Sequence, residues 1–308
     1  MPASYDGAMF HDVVHADGPL LVIHGGAGPV PPRTGQTADA YREGLRRAFL
    51  AGEELLDAGA PALDVVIAAV RALEDDPLLN AGRGAVLTAA GTVEMDAAVM
   101  TGDGRAGAVA CSRHARHTVE AARAVMDRTD NVLVVDPPEQ LCRDWGLDVE
   151  PPEYFVTDRR RTQLAEVLAD RAVAPRHGTV GAVARDRSGH LASATSTGGI
   201  CGTSWGRVGD SPVIGAGTWA RDGVVAVSCT GDGEAFLAGS VAHEVDARLR
   251  LAGPDVVDAA AHALAEVTGR HATGGLIAVT AEGTGLVAHV AASILAAHRR
   301  GDEVVTLV

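Results

Sequence analysis

The chain contains no lysine; all 26 of its basic residues are arginine. That absence removes Schiff-base chemistry, serine–lysine dyads and Walker-type phosphate loops, each of which needs a flexible primary amine. Aromatic residues are nearly as scarce, at 3% of the 308, which leaves few ring faces for bases to stack on. Forty acidic residues give a formal charge of −14, the wrong sign for a phosphate-backbone binder. Together these argue against nucleic acid as a partner. Cysteine is limited to Cys111, Cys142, Cys201 and Cys229, with no C-x-x-C pair and no metal-ligand spacing. The small, apolar neighbours of Cys111 and Cys229 read as buried structural thiols. No apolar run approaches the roughly 18 residues of a membrane helix. The start, MPASYDGAMFHDVVHADGPL, lacks the basic and apolar regions of a secretory signal. The expectation is a soluble cytoplasmic protein with no membrane partner. G-x-S-x-G, H-E-x-x-H, EF-hand and Walker A motifs are also missing.

What is present is an ordinary globular balance, 47% hydrophobic and 21% charged, in a chain long enough to bury about 75% of its unfolded surface without disulfides. Residues 20–24 read as a buried strand running into the turn Gly25-Gly26-Ala27-Gly28, where His24 is expected as a satisfied buried histidine. Apolar residues at three- and four-residue spacing predict a helix over 38–56, and after Gly59 and Pro61 a second helix is expected over 62–73, apolar nearly all round and therefore buried. Strand-like runs follow at 85–87, 92–100, 107–111 and 132–135. Between 136 and 178 five prolines and the charged run Asp158-Arg159-Arg160-Arg161 read as linker-like, with a helix over part of it. At Thr179 the texture turns to strands, first a hairpin over 179–197, then 212–214, 224–229, 276–280, 286–289 and 304–308. Helices over 234–251 and 254–267 interrupt them. This is an α+β order, not strict β-α-β alternation.

The 37 glycines, about 12% of the chain against a usual ~7%, concentrate in 177–234 beside hydroxyls and charges. Arg207 and Asp210 lie three apart in a glycine-rich turn. An arginine fork holds a carboxylate and an aspartate holds an ammonium, so the pair is suited to an amino-acid zwitterion. Thr179 stands where a linker ends and a strand begins. A threonine hydroxyl needs an adjacent base, and a threonine at a chain terminus carries its own α-amine for that purpose, with a pKa of ~7.7–8.0. Reaching that state requires the hydroxyl to attack the carbonyl of Gly178, a residue free to adopt the strained backbone involved.

These residues also carry a resemblance. The ordered motifs are Ile23-His24-Gly25-Gly26-Ala27-Gly28, the run from Leu73 to Gly84 containing Asn80-Ala81-Gly82, and Glu94-Met95-Asp96-Ala97. After them come His177-Gly178-Thr179-Val180-Gly181, Ala194-Thr195-Ser196-Thr197-Gly198-Gly199, Gly206-Arg207-Val208-Gly209-Asp210-Ser211-Pro212 and Ser228-Cys229-Thr230-Gly231 with Gly233-Glu234. Over most of its length the sequence resembles the isoaspartyl peptidase/L-asparaginase family, the plant-type asparaginases of the N-terminal-nucleophile hydrolase superfamily. The resemblance implies a four-layer αββα sandwich in a single domain. It also implies self-cleavage between Gly178 and Thr179 into an α chain, 1–178, and a β chain, 179–308. It implies Thr179 as nucleophile and base, Thr197 as the group that orients it, and the Thr230 hydroxyl with the Gly231 N–H as oxyanion hole. Arg207 and Asp210 then hold the α-carboxylate and α-ammonium, Gly233 lines the site, and Asn80, one of two asparagines in the chain, sits beside the nucleophile. No cofactor is implied for catalysis. A structural sodium is implied at the main-chain carbonyls of Leu73, Glu74, Asp76, Leu79, Ala81 and Arg83, and a homodimer of αβ units is expected.

The activity implied is hydrolysis of the side-chain amide of asparagine or of β-aspartyl dipeptides. A glycosylasparaginase, a taspase-like peptidase and a non-catalytic amino-acid-binding module are the alternatives. The sequence departs from the family at 200–205, Ile-Cys-Gly-Thr-Ser-Trp, where a polar stretch with asparagine and lysine is common. It departs again at Asp232, where a neutral residue is usual. A carboxylate there opposes charge developing in the oxyanion hole and slows self-cleavage unless it points away.

Overall fold

The computed structural model describes residues 9–28, 35–170, 178–253 and 255–308. His177, the tail of the linker-like segment and the prolines just after Gly28 lie outside them. Among the described residues the chain begins with strands β1 (Phe10–His15) and β2 (Leu20–Gly28), helices α1 (Gln36–Asp57) and α2 (Ala62–Glu74), and strands β3 (Met95–Thr101) and β4 (Ala106–Ser112). Then come α3 (Thr118–Arg128), β5 (Leu133–Val135) and the short helices α4 (Glu139–Asp144), α5 (Pro152–Phe155) and α6 (Asp158–Ala169). The second half opens with β6 (Val180–Arg185) and β7 (Leu191–Thr197), followed by β8 (Thr218–Arg221) and β9 (Val225–Gly231). Helices α7 (Gly233–Gly239), α8 (Val241–Ala252) and α9 (Val256–Thr268) precede β10 (Gly274–Thr280), β11 (Thr284–His289), β12 (Ser293–Arg300) and β13 (Glu303–Leu307).

Two sheets result. One runs β1-β11-β10-β9-β8, the other β13-β12-β2-β6-β7-β3-β4-β5. Side chains alternate across each strand, and the sequence exploits this fully. In β2, Leu21 and Ile23 face a core shared with Leu45 and Phe49 of α1, Val66 and Val70 of α2, and Val119 of α3. Leu20 and Val22 face the other way, toward Ile277, Val279 and Val287 of the five-stranded sheet. The far side of that sheet, through Val227, Cys229, Leu276 and Leu286, packs on Phe236, Val245 and Leu264 of α7–α9. Strands buried on both faces must be apolar or small throughout, which explains the Ala- and Val-rich runs.

Several boundaries differ from the sequence reading. Strand β2 does not turn at Gly25; it continues to Gly28, paired with β12 through a register shift at Leu295/Ala296. Residues 85–87 and 212–214 form no strand. The helix expected over 234–251 is two helices, broken at Ser240 in a left-handed conformation (φ 48°). The region that reads as linker-like holds α4, α5 and α6. Phe155 and Leu164 pin the last two against Leu87, Met95 and Cys201.

Candidate active site

Strand alternation decides what meets between the sheets. On β6 and β7, Ala182, Ala192 and Ala194 face the helices, so Thr179, Thr195 and Thr197 face the other sheet. On β9, Val227 and Cys229 face α7–α9, so Ser228 and Thr230 face back. Thr179, Thr197 and Thr230, far apart in sequence, therefore share one interior space, and all are buried.

Their hydrogen bonds converge on one carbonyl. The Thr179 hydroxyl donates to Thr197 Oγ1 (3.3 Å), and the Thr197 hydroxyl donates to the Gly178 carbonyl (2.9 Å). Asn80 Nδ2 donates to the same carbonyl (2.7 Å) and to that of Gly199 (2.8 Å). The Asn80 Oδ1 accepts from Val86 N (2.8 Å), which fixes the amide's orientation. Gly26, at φ 116°, passes so close that a Cβ there would lie 3.2 Å from the Gly178 Cα and 3.4 Å from Thr179 N. Its neighbour Ala27 donates its N–H to Thr230 Oγ1 (3.1 Å), leaving the Thr230 hydroxyl proton free to donate. Gly231 is at φ 148°, and a Cβ there would collide with Gly274 Cα and the Thr273 carbonyl.

The turn after Gly206 brings in charge. Gly233 lies between the two charged groups, so a Cβ there would sit 2.8 Å from Asp210 Oδ1 and 2.9 Å from Arg207 Nη2. Arg207 does not pair with Asp210. Its Nε and Nη2 fork onto both oxygens of Glu234 (2.9 Å each), a partner that sequence reasoning missed. Asp210 is only 4% exposed, and its Oδ2 has no hydrogen-bond partner among the described residues. Burial pushes its carboxyl up to about 7, with Arg207 pulling the other way.

The family model for asparaginase matches residues 17–308. The isoaspartyl peptidase of Salmonella typhimurium is 44% identical over 280 residues, covering 86% of this chain and 90% of that protein. The Escherichia coli isoaspartyl peptidase is 41% identical, with 86% and 87% covered. The human isoaspartyl peptidase/L-asparaginase is 40% identical over 278 residues, with 86% and 88% covered. The chain belongs to the asparaginase family.

Within this asparaginase-family chain the two departures have definite places. The Asp232 carboxylate is drawn toward the next strand, where Oδ2 accepts the Thr273 N–H (2.6 Å) and hydroxyl (3.3 Å). The 200–205 stretch folds onto the first half of the chain. Gly202 N donates to Leu87 O (2.8 Å), Ala89 N to Thr203 O (2.9 Å), and the Cys201 side chain is buried against Phe155 and Leu164. Trp205 is left 75% exposed beside Gly206.

The loop carrying Asn80 turns carbonyls inward. A Cβ on Gly84 would collide with the Leu79 oxygen and lie 3.0 Å from the Asp76 oxygen; on Gly82 it would collide with the Glu74 oxygen. Main-chain oxygens are the ligand type a hard cation takes, and those of Glu74, Asp76 and Leu79 pack closely against Gly82 and Gly84 here. Among the described residues no group of three or more His, Cys, Asp or Glu side chains could hold a metal. No helix of the described residues is long and apolar enough to cross a membrane.

Behind the hydroxyls of Thr179, Thr197 and Thr230 lies a second polar row. His24 Nε2 meets Ser228 Oγ (2.9 Å), Ser228 meets Thr195 Oγ1 (2.7 Å), and Thr218 donates to Thr195 (2.7 Å) and to the Ser211 carbonyl (3.0 Å). Gly181 makes room for it, since a Cβ there would sit 2.5 Å from His24 Nε2. Burial pushes the His24 imidazole down to about 3 against a smaller pull from the Thr179 main chain, so the ring is neutral at working pH. The period-two hydroxyls, Ser193-Thr195-Thr197 and Ser228-Thr230, were the available signal for this row.

Proposed function

We propose that the chain is an amidohydrolase of an αββα sandwich fold that cuts itself between Gly178 and Thr179 and then hydrolyses the side-chain amide of L-asparagine or β-aspartyl dipeptides. The observation that carries this is the Gly178 carbonyl gripped by Asn80 Nδ2 and the Thr197 hydroxyl, with the Thr179 hydroxyl one hydrogen bond away. That is an activated carbonyl next to a nucleophile. Attack by Thr179 Oγ1 forms an ester to Gly178 while the peptide C–N bond breaks and the hydroxyl proton passes to the departing nitrogen. Water then hydrolyses the ester, leaving a free hydroxyl and a free α-amine on Thr179. Two donors on the developing oxyanion are each worth ~3–4 kcal/mol.

In the cut enzyme the Thr179 amine takes the proton of its own hydroxyl as Oγ1 attacks the substrate's side-chain carbonyl. Thr230 and the Gly231 N–H receive the oxyanion. The amine then protonates the leaving ammonia or amino acid, and water releases aspartate from the β-aspartyl ester. Arg207 holds the α-carboxylate and Asp210 the α-ammonium, which places the β-carbonyl over Thr179. Asp232 opposes this less than a free carboxylate would, because the Thr273 N–H and hydroxyl both donate to its Oδ2 and offset part of its charge. A sodium ion held by the carbonyls of Leu73, Glu74, Asp76, Leu79, Ala81 and Arg83 would stiffen the loop that presents Asn80. Two αβ units pair in this reading.

Thr179→Ala tests it. The variant should remain one uncut chain on a denaturing gel and release no ammonia from asparagine or β-aspartyl-leucine. A cleaved, active variant would reject the assignment.

A further inference from the structure

The Glu94-Met95-Asp96 motif has no part in the reading above, yet it borders the zwitterion pocket. Glu94 Oε2 accepts the Gly206 N–H (2.9 Å). Asp96 accepts the N–H groups of Cys111 (2.9 Å) and Gly209. The two carboxylates thus hold the main chain on either side of Arg207, and both are buried, at 6% and 2% exposure. With Asp210, three carboxyl groups are sequestered around one guanidinium whose Nε and Nη2 are already given to a fourth, Glu234. The next cation outward, Arg113, is forked onto Asp136. The titratable neighbours among the described residues include the thiols Cys111 and Cys229 and, beyond Glu234, Asp232, and in the cut enzyme the Thr179 α-amine joins them. Asp210 Oδ2 and Glu94 Oε1 are buried without a partner among the described residues. An interior with this excess of negative charge cannot keep every carboxyl ionised.

We propose that the ligand-free pocket retains one proton, seated on the buried and unpartnered Asp210 with the charge of the buried Asp96 holding it there, and that the α-ammonium of the incoming amino acid replaces it and sends it to bulk water. Substrate capture is then coupled to proton release, and Asp96 is a positioning residue whose charge helps draw the ammonium in. Burial and mutual repulsion act in the required direction, moving Asp210 to about 7 and Asp96 to about 6. The inference rests on Asp210 as the seat of the ammonium.

Calorimetric titration of the mature wild-type enzyme with L-aspartate, in buffers of different ionisation enthalpy, reads the proton directly. At about pH 6, where the Thr179 amine stays protonated with or without ligand, most of one proton should leave per aspartate bound, and between about pH 6 and about pH 7.5 that release should fade as Asp210 ionises in the free enzyme. Asp96→Asn should cut the release at about pH 6 below half and flatten the rise of KM toward acid. Buffer-independent heat of aspartate binding to wild type at about pH 6 overturns the coupling. Asp210→Asn separates the two ideas: unchanged aspartate affinity rejects the ammonium seat itself, whereas lost affinity with no proton release in wild type rejects only the coupling.

Discussion

Each residue of the site answers a need set by its neighbours. Asn80 supplies the shorter of two hydrogen bonds to the Gly178 carbonyl, and its own orientation is fixed by Val86. Asn80→Ala should slow self-cleavage by about 10²–10³-fold, the usual effect of losing one oxyanion donor, followed as the fraction of uncut chain over days on a denaturing gel. Glu234 holds one edge of Arg207 and leaves Nη1 for a ligand carboxylate. Because Glu234 is largely exposed, the pair contributes no more than about 1 kcal/mol. Glu234→Ala should therefore raise KM for asparagine roughly fivefold and leave kcat within about twofold. Thr179, Arg207 and Asp210 stand out as candidates because nucleophile and zwitterion clamp each have a chemistry that few residues supply. Residue type and spacing alone leave ordinary structural roles open, and it is the family resemblance that singles them out. Glu234 as the partner of Arg207 could not be read. Its contact crosses from the 206–210 turn to the start of α7, and no local pattern encodes that approach.

At the level of elements, period decides what is legible. The helix of 36–57 shows clean periodicity, the helix of 62–74 is an apolar run opened by Pro61, and the β6–β7 hairpin is marked by its Gly189 turn; the sequence reading comes within a residue or two of all three. The continuation of β2 through Gly25–Gly28 is hidden because glycine carries no side-chain signal. Pairing with β12, the Ala27 N–H bond to Thr230 and closeness to Gly178 hold that backbone extended. Gly26→Ala should test this. The methyl group meets a left-handed φ and the Gly178 main chain together, costing roughly 1–3 kcal/mol, so cleavage should slow and the melting temperature fall by several degrees. A variant that matures at the wild-type rate and melts at the same temperature would contradict it. The α4–α6 region misleads for another reason. Prolines and charge dominate its composition, while its anchoring depends on Phe155, Leu164 and the buried Arg160, whose Nε bonds the Gly84 carbonyl (2.6 Å).

For the whole molecule, the pocket around Arg207 and Asp210 works against stability. Burial raises the Asp210 carboxyl to about 7, above its ordinary unfolded value near 3.9. The native state therefore holds a proton that the unfolded state lacks between those limits. That contribution is present in full below about pH 4 and lost as pH rises through about 7. Asp210→Asn should match wild type in urea unfolding at about pH 4 and exceed it at about pH 8 by roughly 1–3 kcal/mol, while catalysis collapses. Equal stability at both pH values would show that the pocket stores no such strain.

Strand order carries a last consequence. In the larger sheet β2, β3, β4 and β5 precede residue 178, whereas β6, β7, β12 and β13 follow it, and the two sets interleave, with β6 and β7 lying between β2 and β3. One severed bond would thus turn a single molecule into two polypeptides laced through each other, able to separate only by tearing out the central ladder. Unfolding such a pair also changes its molecularity. The uncut form regains its shape in a first-order process, whereas the nicked form must find its other piece by collision, so maturation would make the fold a one-way assembly.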